Sequence, residues 1–314
     1  MASISTEYCQ FLLAQGFCSS LGASLVFYPA LSCTATWFQE RRALAFGILS
    51  SGSSVGGIVL PTMLARLLPA IGFGWFLRVS ALVVFVMLLV GNFTVRSRIK
   101  PMPKPVTLGD YIEPFKELLF VLLAFASCAG FFAMFVPINY IIVQAQDGGV
   151  DPNMAGYLLT IMNAGSLPGR ILPGYLGDKL GRFNVMIIMC SLSAVALLAL
   201  WLPGTLFDPG SLGIYIAFAV LYGFTSGAFV GMVPALLGQI SLDVRKIGVR
   251  QGVLFTCISL VSLTSSPIAG AIMSQQQGVY WGLQVFAGGM VVVSALFFIA
   301  TRVKLVGGSL CRVV

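Results

Sequence analysis

The sequence predicts an all-α membrane protein of about nine transmembrane helices, and three observations carry that prediction. Of the 314 residues, 58% are apolar and only 9% charged, with a mean hydropathy of +0.97, whereas soluble domains carry about 25% charged residues. The apolar residues fall in runs of roughly 20 or more, enough to cross a ~30 Å hydrocarbon core as helix, and not in the ~10-residue alternating segments of an outer-membrane barrel. The cations gather on every second connection between those runs, the pattern of a chain oriented by its cytoplasmic loops. A net charge of +8 invites a nucleic-acid reading, but the Lys and Arg form short clusters and no continuous basic face. With no His, and with seven Cys that form no CxxC pair, a zinc site or a His-based triad has no parts. No metal, cofactor or enzymatic reaction is expected, and the lipid bilayer is the first expected partner.

Apolar runs bounded by charge, Gly and Pro give helices over about 11–37, 43–68, 74–95, 117–144, 154–176, 183–203, 213–238, 249–273 and 279–301. The first run is too long for a signal-peptide h-region and has no basic n-region before it, so it is expected to remain as a signal anchor. Trp37, Trp75, Trp201 and Trp281 stand near span ends, where an indole buries its ring and keeps its N–H wet. Of the 18 Lys and Arg, only Arg66 and Arg78 fall off the alternate connections. The others are Arg41 and Arg42; Arg96, Arg98, Lys100, Lys104 and Lys116; Arg170, Lys179 and Arg182; Arg245, Lys246 and Arg250; Arg302, Lys304 and Arg312. Cationic loops stay inside, so the C-terminus is expected in the cytoplasm and Met1 outside, with the plasma membrane as the location. The sequon Asn92-Phe-Thr94 falls at a cytoplasmic helix end and should carry no glycan.

The longest connection, residues 96–116 (RSRIKPMPKPVTLGDYIEPFK), is basic and Pro-bearing, as suits a cytoplasmic linker. It divides the chain into residues 1–95, a partial bundle of three helices, and 117–314, a six-helix bundle with a short cytoplasmic tail. Self-comparison at an offset of 205 aligns Gly22 with Gly227, Pro29-Ala-Leu31 with Pro234-Ala-Leu236, Arg41 with Lys246 and Gly47 with Gly252. A same-orientation repeat of six helices is the parallel repeat of a two-bundle transporter, and a symmetric molecule would need three more helices before Met1. The competing explanation is chance alignment of Gly and Pro, which are common in membrane helices.

Two segments carry a resemblance to a known family. Gly174-Tyr-Leu-Gly-Asp178-Lys179-Leu-Gly181-Arg182 sets a carboxylate and two cations on a tight glycine-bearing turn. It resembles the GxxxD(R/K)xG(R/K) loop of the major facilitator superfamily. That likeness implies that Asp178 meets the start of a neighbouring helix and, with Lys179 and Arg182, holds an outward-open state. Trp37-Phe38-Gln-Glu-Arg41-Arg42-Ala-Leu-Ala-Phe-Gly47-Ile-Leu-Ser50-Ser51-Gly52 is similar to the signature that opens the fifth helix of the monocarboxylate porter family. Tyr8-Cys-Gln10, Leu13-Ala-Gln15-Gly16 and Gly72-Phe-Gly-Trp75 extend the likeness over essentially the whole chain. The family's acidic-Gly-Gly-aromatic signature and its Lys-bearing first helix have no counterpart. The chain thus looks like a fungal-type member that begins just before family helix four.

Arg170 is the leading site candidate. Eight residues before Asp178, it lies roughly 12 Å along the helix axis from the membrane edge, near the midplane, where an Arg costs about 2.5 to 3.5 kcal/mol on insertion scales. It therefore faces a wet cavity or a partner, or else snorkels to the cytoplasmic face, with Pro168 and Pro173 able to shorten the depth. The resemblance implies that it binds a substrate carboxylate, which a guanidinium grips through two parallel hydrogen bonds. Proton-coupled members carry an Asp four residues earlier, and Ser166 stands there instead, which puts proton symport in doubt. Gln15, Asn139 and Asn163 are intraspan polar residues expected to line the cavity, and Tyr222, Phe224 and Phe229 to bound it, although each also suits helix packing. The Gly-rich stretches 52–57 and 223–231 are read as close helix contacts.

The expected function is transport, secondary active or facilitative, of a small organic anion by alternating access. Efflux of a larger secondary metabolite, such as an aromatic acid or polyketide, is the alternative on the same fold. A truncated, non-transporting fragment or a sensor is the alternative of another class. A partner chain to complete the cavity is unspecified.

Overall fold

The computed structural model describes residues 2–98, 107–208, 210–241, 243 and 246–307. Lys100, Lys104, Arg245 and Arg312 of the expected cationic loops lie outside the described residues. Eight long helices account for most of the chain: α1 (Tyr8–Trp37), α2 (Arg42–Thr94), α3 (Leu118–Asp147), α4 (Pro152–Leu180), α5 (Arg182–Phe207), α6 (Leu212–Ile240), α7 (Ile247–Gln275) and α8 (Trp281–Val306). All but α4 are apolar enough along their length to read as membrane spans by composition. The α4 helix is diluted by Gly, Pro and charge, and it packs in the middle of the others.

The second and third expected helices are the two halves of α2. As one straight rod, its 53 residues would reach about 80 Å. Yet the Trp37 Nε1 and the Cys33 Sγ, just before its start, donate to the carbonyl of Arg96, just after its end, at 2.8 and 3.1 Å. The chain therefore doubles back inside α2. It does so at Gly72, whose φ of +74° and ψ of 168° leave the helical region, a conformation open to glycine because it has no Cβ. Nine long helical segments result among the described residues, as the sequence predicts.

Local chemistry sets the ends of α4. Asp151 accepts from the backbone N–H of Asn153 at 2.9 Å and of Met154 at 3.3 Å, with Pro152 at the first helical position. Gly181, at φ +96°, stops the helix and lets α5 start at once with Arg182. Neither Pro168 nor Pro173 interrupts α4.

One large hydrophobic core binds α3 to α8 together, built on Phe120, Phe183, Trp201, Phe218, Tyr222 and Phe229 among others. Trp201 departs from expectation: fully buried, it stacks on Phe218 with ring centroids 4.9 Å apart. It sits where α5 passes through a π-helical stretch, Ala196–Trp201, and runs on to Phe207, so the helix outlasts its expected end and carries the indole inside. Trp37, Trp75 and Trp281 are exposed. A second, smaller core of Leu31, Ala35, Ala43, Phe46, Ala235 and Ile247 fastens α1 and α2 to α6 and α7.

The first half of α2 lies antiparallel to α4, and α4 runs parallel to α6, at glycine-permitted distances. A Cβ on Gly47 would strike the Arg170 carbonyl, one on Gly174 the Ala43 carbonyl, and one on Gly169 the Phe224 carbonyl. In the stretch 52–57, by contrast, Gly52 and Gly56 face open space, and only Gly57 is pressed, against Asn163.

Candidate functional site

Two polar sites join α2 to α4, one at the helix ends and one about two turns deeper. At the ends, the Asp178 carboxylate accepts the backbone N–H groups of Ala43 at 3.2 Å and Leu44 at 2.9 Å. These are among the donors that a helix start leaves unpaired, and the positive end of the helix dipole favours a carboxylate there. Arg182 holds the same carboxylate, with Nε at 2.9 Å and Nη2 at 2.8 Å, and also donates to the carbonyls of Gln39 and Glu40 at 3.3 Å. Arg42 donates from Nε to the Phe38 carbonyl at 3.1 Å and from Nη1 to the Gly238 carbonyl at 2.9 Å, joining the α2 start to α6. Lys179 stays out of this cluster and sits over the Tyr175 ring, 4.4 Å from its centroid. Of the signature residues, Arg41 and Phe38 are exposed, and Gly47 marks the close approach to α4.

Deeper in, Arg170 does not snorkel. It is buried and points across to α2, where its Nη1 donates to the Ser50 carbonyl and the Ser53 hydroxyl. Its Nε donates to the Ser166 Oγ at 3.1 Å, and Ser166 shares a 2.9 Å hydrogen bond with Ser54 of α2. Among the described residues no carboxylate pairs with Arg170. Beside the guanidinium is a cavity of about 70 Å³, lined by Ser166, Asn163, Ser226 and the apolar Met134, Ile138 and Met162. That volume admits a few waters and falls well short of the ~300–1,000 Å³ of a ligand pocket. In this conformation the site is contracted.

The structure thus brings Arg170, Ser166 and Asn163 together and scatters the other sequence candidates. Asn163 donates to the Leu159 carbonyl of its own helix at 2.9 Å. Asn139 is exposed and bonds Ser266 of α7 at 2.8 Å. Gln15 is exposed on the π-helical stretch Leu12–Ser19 of α1. Tyr222 and Phe229 are core residues instead of cavity walls: Tyr222 stacks on Phe218 at 5.2 Å, and Phe229 meets Phe131 edge-on at 6.3 Å. Large aromatic surface in a six-helix bundle is better buried between helices than left facing a polar cavity. Sequence reasoning missed Ser50, Ser53 and Ser54. Their spacing with Gly47 and Gly57 places them on one helical face, the signal that would have found them.

Residues 120–308 match the family described as Major Facilitator Superfamily. An MFS-type transporter of Gibberella moniliformis is 47% identical over 313 residues, covering 99% of this chain and 73% of that protein. MFS-type transporter 1 of an Ophiocordyceps species is 46% identical over 312 residues, covering 99% of this chain and 68% of its own length. The Fujikurins efflux protein of Gibberella fujikuroi is 40% identical over 303 residues, covering 96% of this chain and 64% of that protein.

Proposed function

The chain belongs to the major facilitator superfamily and is a multi-pass membrane transporter, and from that premise we propose that it exports a metabolite bearing an anionic group. The observation that carries this reading is Arg170, a buried guanidinium beside a cavity with no carboxylate of the described chain to neutralise it. A buried cation without a counter-ion is costly, and an anionic substrate supplies one. The direction of transport rests on the likeness to a relative named for efflux, which favours export of a metabolite over uptake of a small monocarboxylate. The likeness to monocarboxylate porters enters as a finer proposal: Arg170 anchors the carboxylate, and Ser166 replaces the acid that would couple a proton.

In this reading, a partial bundle in residues 1–95 and a bundle in 117–314, joined by the linker 96–116, rock about the midplane in the plasma membrane with the C-terminus in the cytoplasm. Asp178, Arg182 and Arg42 keep the cytoplasmic side shut, so the contracted conformation is closed to the cytoplasm.

The test is uptake into inside-out membrane vesicles of labelled aromatic carboxylates and their methyl esters. Accumulation of acids but not esters, lost in Arg170→Gln, is the expected result. Equal accumulation in vesicles with and without the protein overturns the reading.

A further inference from the structure

The guanidinium of Arg170 has two uses that exclude one another. In the contracted site its Nη1 is engaged by the Ser50 carbonyl and the Ser53 hydroxyl, and its Nε by Ser166, which in turn bonds Ser54. Every link in this chain of contacts passes between α2 and α4 or stays on α4 beside the cavity. The acceptors on the α2 side are neutral. A carboxylate arriving from the cavity adds the attraction of opposite charges and a second, parallel hydrogen bond, neither of which a neutral oxygen supplies, and draws Nη1 away from α2.

We infer that Ser50, Ser53 and Ser54 form with Arg170 a latch between α2 and α4 that an organic anion opens by taking the guanidinium for itself. The identity of the opener rests on the exporter reading, whereas the latch stands on the contacts alone. It explains a feature the lock at the helix ends does not: Asp178, Arg182 and the α2 start satisfy one another without reference to any ligand. At the deeper contact α2 is held by Arg170 and Ser166, side chains that also line the cavity. A neutral molecule of the same shape fills the cavity but leaves Nη1 on Ser50 and Ser53, so the helices stay together. Charge then selects which ligands trigger movement, beyond selecting which ones bind.

The experiment uses the full chain in native membranes, in a Cys-free background carrying Asn163→Cys, a position pressed against Gly57 of α2. The rate of alkylation by N-ethylmaleimide reports separation of the two helices. Ser53→Ala with Ser54→Ala is expected to raise that rate at least about ten-fold without ligand, the effect of losing one hydrogen bond from the charged guanidinium and one between neutral hydroxyls. Ser53→Thr, which keeps a hydroxyl, is expected to stay near the parent rate. Saturating 2-naphthoate is expected to speed alkylation of the parent, its methyl ester to leave it unchanged, and Arg170→Gln to abolish the difference. A Ser53→Ala, Ser54→Ala protein alkylated at the parent rate overturns the latch. A fast alanine variant whose parent does not respond to naphthoate overturns opening by an anion. A latch that behaves as stated in membranes that accumulate no carboxylate overturns the exporter reading alone.

Discussion

The Asp178 carboxylate accepts the backbone N–H of Leu44, 134 positions earlier in the chain, at 2.9 Å. That single contact makes the end of one helix the cap of another, and its strength depends on charge. Asp178→Asn keeps an acceptor but loses the attraction to the helix dipole and to Arg182, whose side chain is 13% exposed against 7% for Asp178. The loss is about 1 kcal/mol or more, enough to shift a two-state equilibrium about five-fold. Expression is expected to stay near normal while turnover slows, because the populations move and the intrinsic affinity does not. Transport rate against surface expression measures it, and unchanged turnover would make Asp178 an ordinary loop charge.

Arg170→Lys keeps the charge and loses the fork, and Arg170→Gln loses both. Affinity for an acidic substrate should fall about ten- to hundred-fold in the Gln variant and less in the Lys variant. Binding of an acid and its methyl ester to the three proteins decides this. An ester that binds the parent as well as the acid does would remove the carboxylate from the account.

Helix spacing gives a prediction independent of any ligand. At Gly169 a methyl group meets the backbone carbonyl of Phe224, which has no rotamer to yield. Gly169→Ala should therefore destabilise by about 1 to 3 kcal/mol. Gly56→Ala and Gly252→Ala face open space and should be neutral or slightly stabilising, since Ala is the better helix former by about 1 kcal/mol. Thermal unfolding in detergent distinguishes them, and an equal loss at all three positions would discredit the close α4 to α6 approach.

A cysteine placed singly at Thr107, near the middle of the proposed linker, should resist an impermeant thiol reagent in intact cells and react once they are permeabilised. Labelling before permeabilisation would invert the orientation.

Much of this architecture was legible in the sequence because the bilayer imposes so few solutions. Apolar runs bounded by charge, Gly and Pro located nine long helical segments, and the interval between the expected helices 43–68 and 74–95 contains Gly72, where α2 reverses. Asp178 and Arg170 stood out because charges are rare in apolar helices. The serines of α2 did not, since a hydroxyl in a helix normally bonds its own backbone, as Ser51 does to Ile48 at 2.7 Å and Ser53 to Ser50 at 3.1 Å, and only the face shared with Gly47 and Gly57 signals that Ser53 also accepts from Arg170. Tyr222, Phe229 and Trp201 were misjudged for the opposite reason. Position along a helix is readable from sequence, but the face an aromatic ring presents depends on neighbours that arrive from distant parts of the chain. The same limit applies to Gln15, whose polarity suggested a cavity and whose side chain is exposed on α1.

The reversal at Gly72 is made by one residue, with helix on both sides. A corner that tight leaves no slack, so a tilt of the arm seated on α4 is handed to the other arm as if the two were legs of a single bracket. Inserting a flexible tripeptide at the corner would let the legs swing separately. An epitope tag placed there would disturb the coupling it was meant to report.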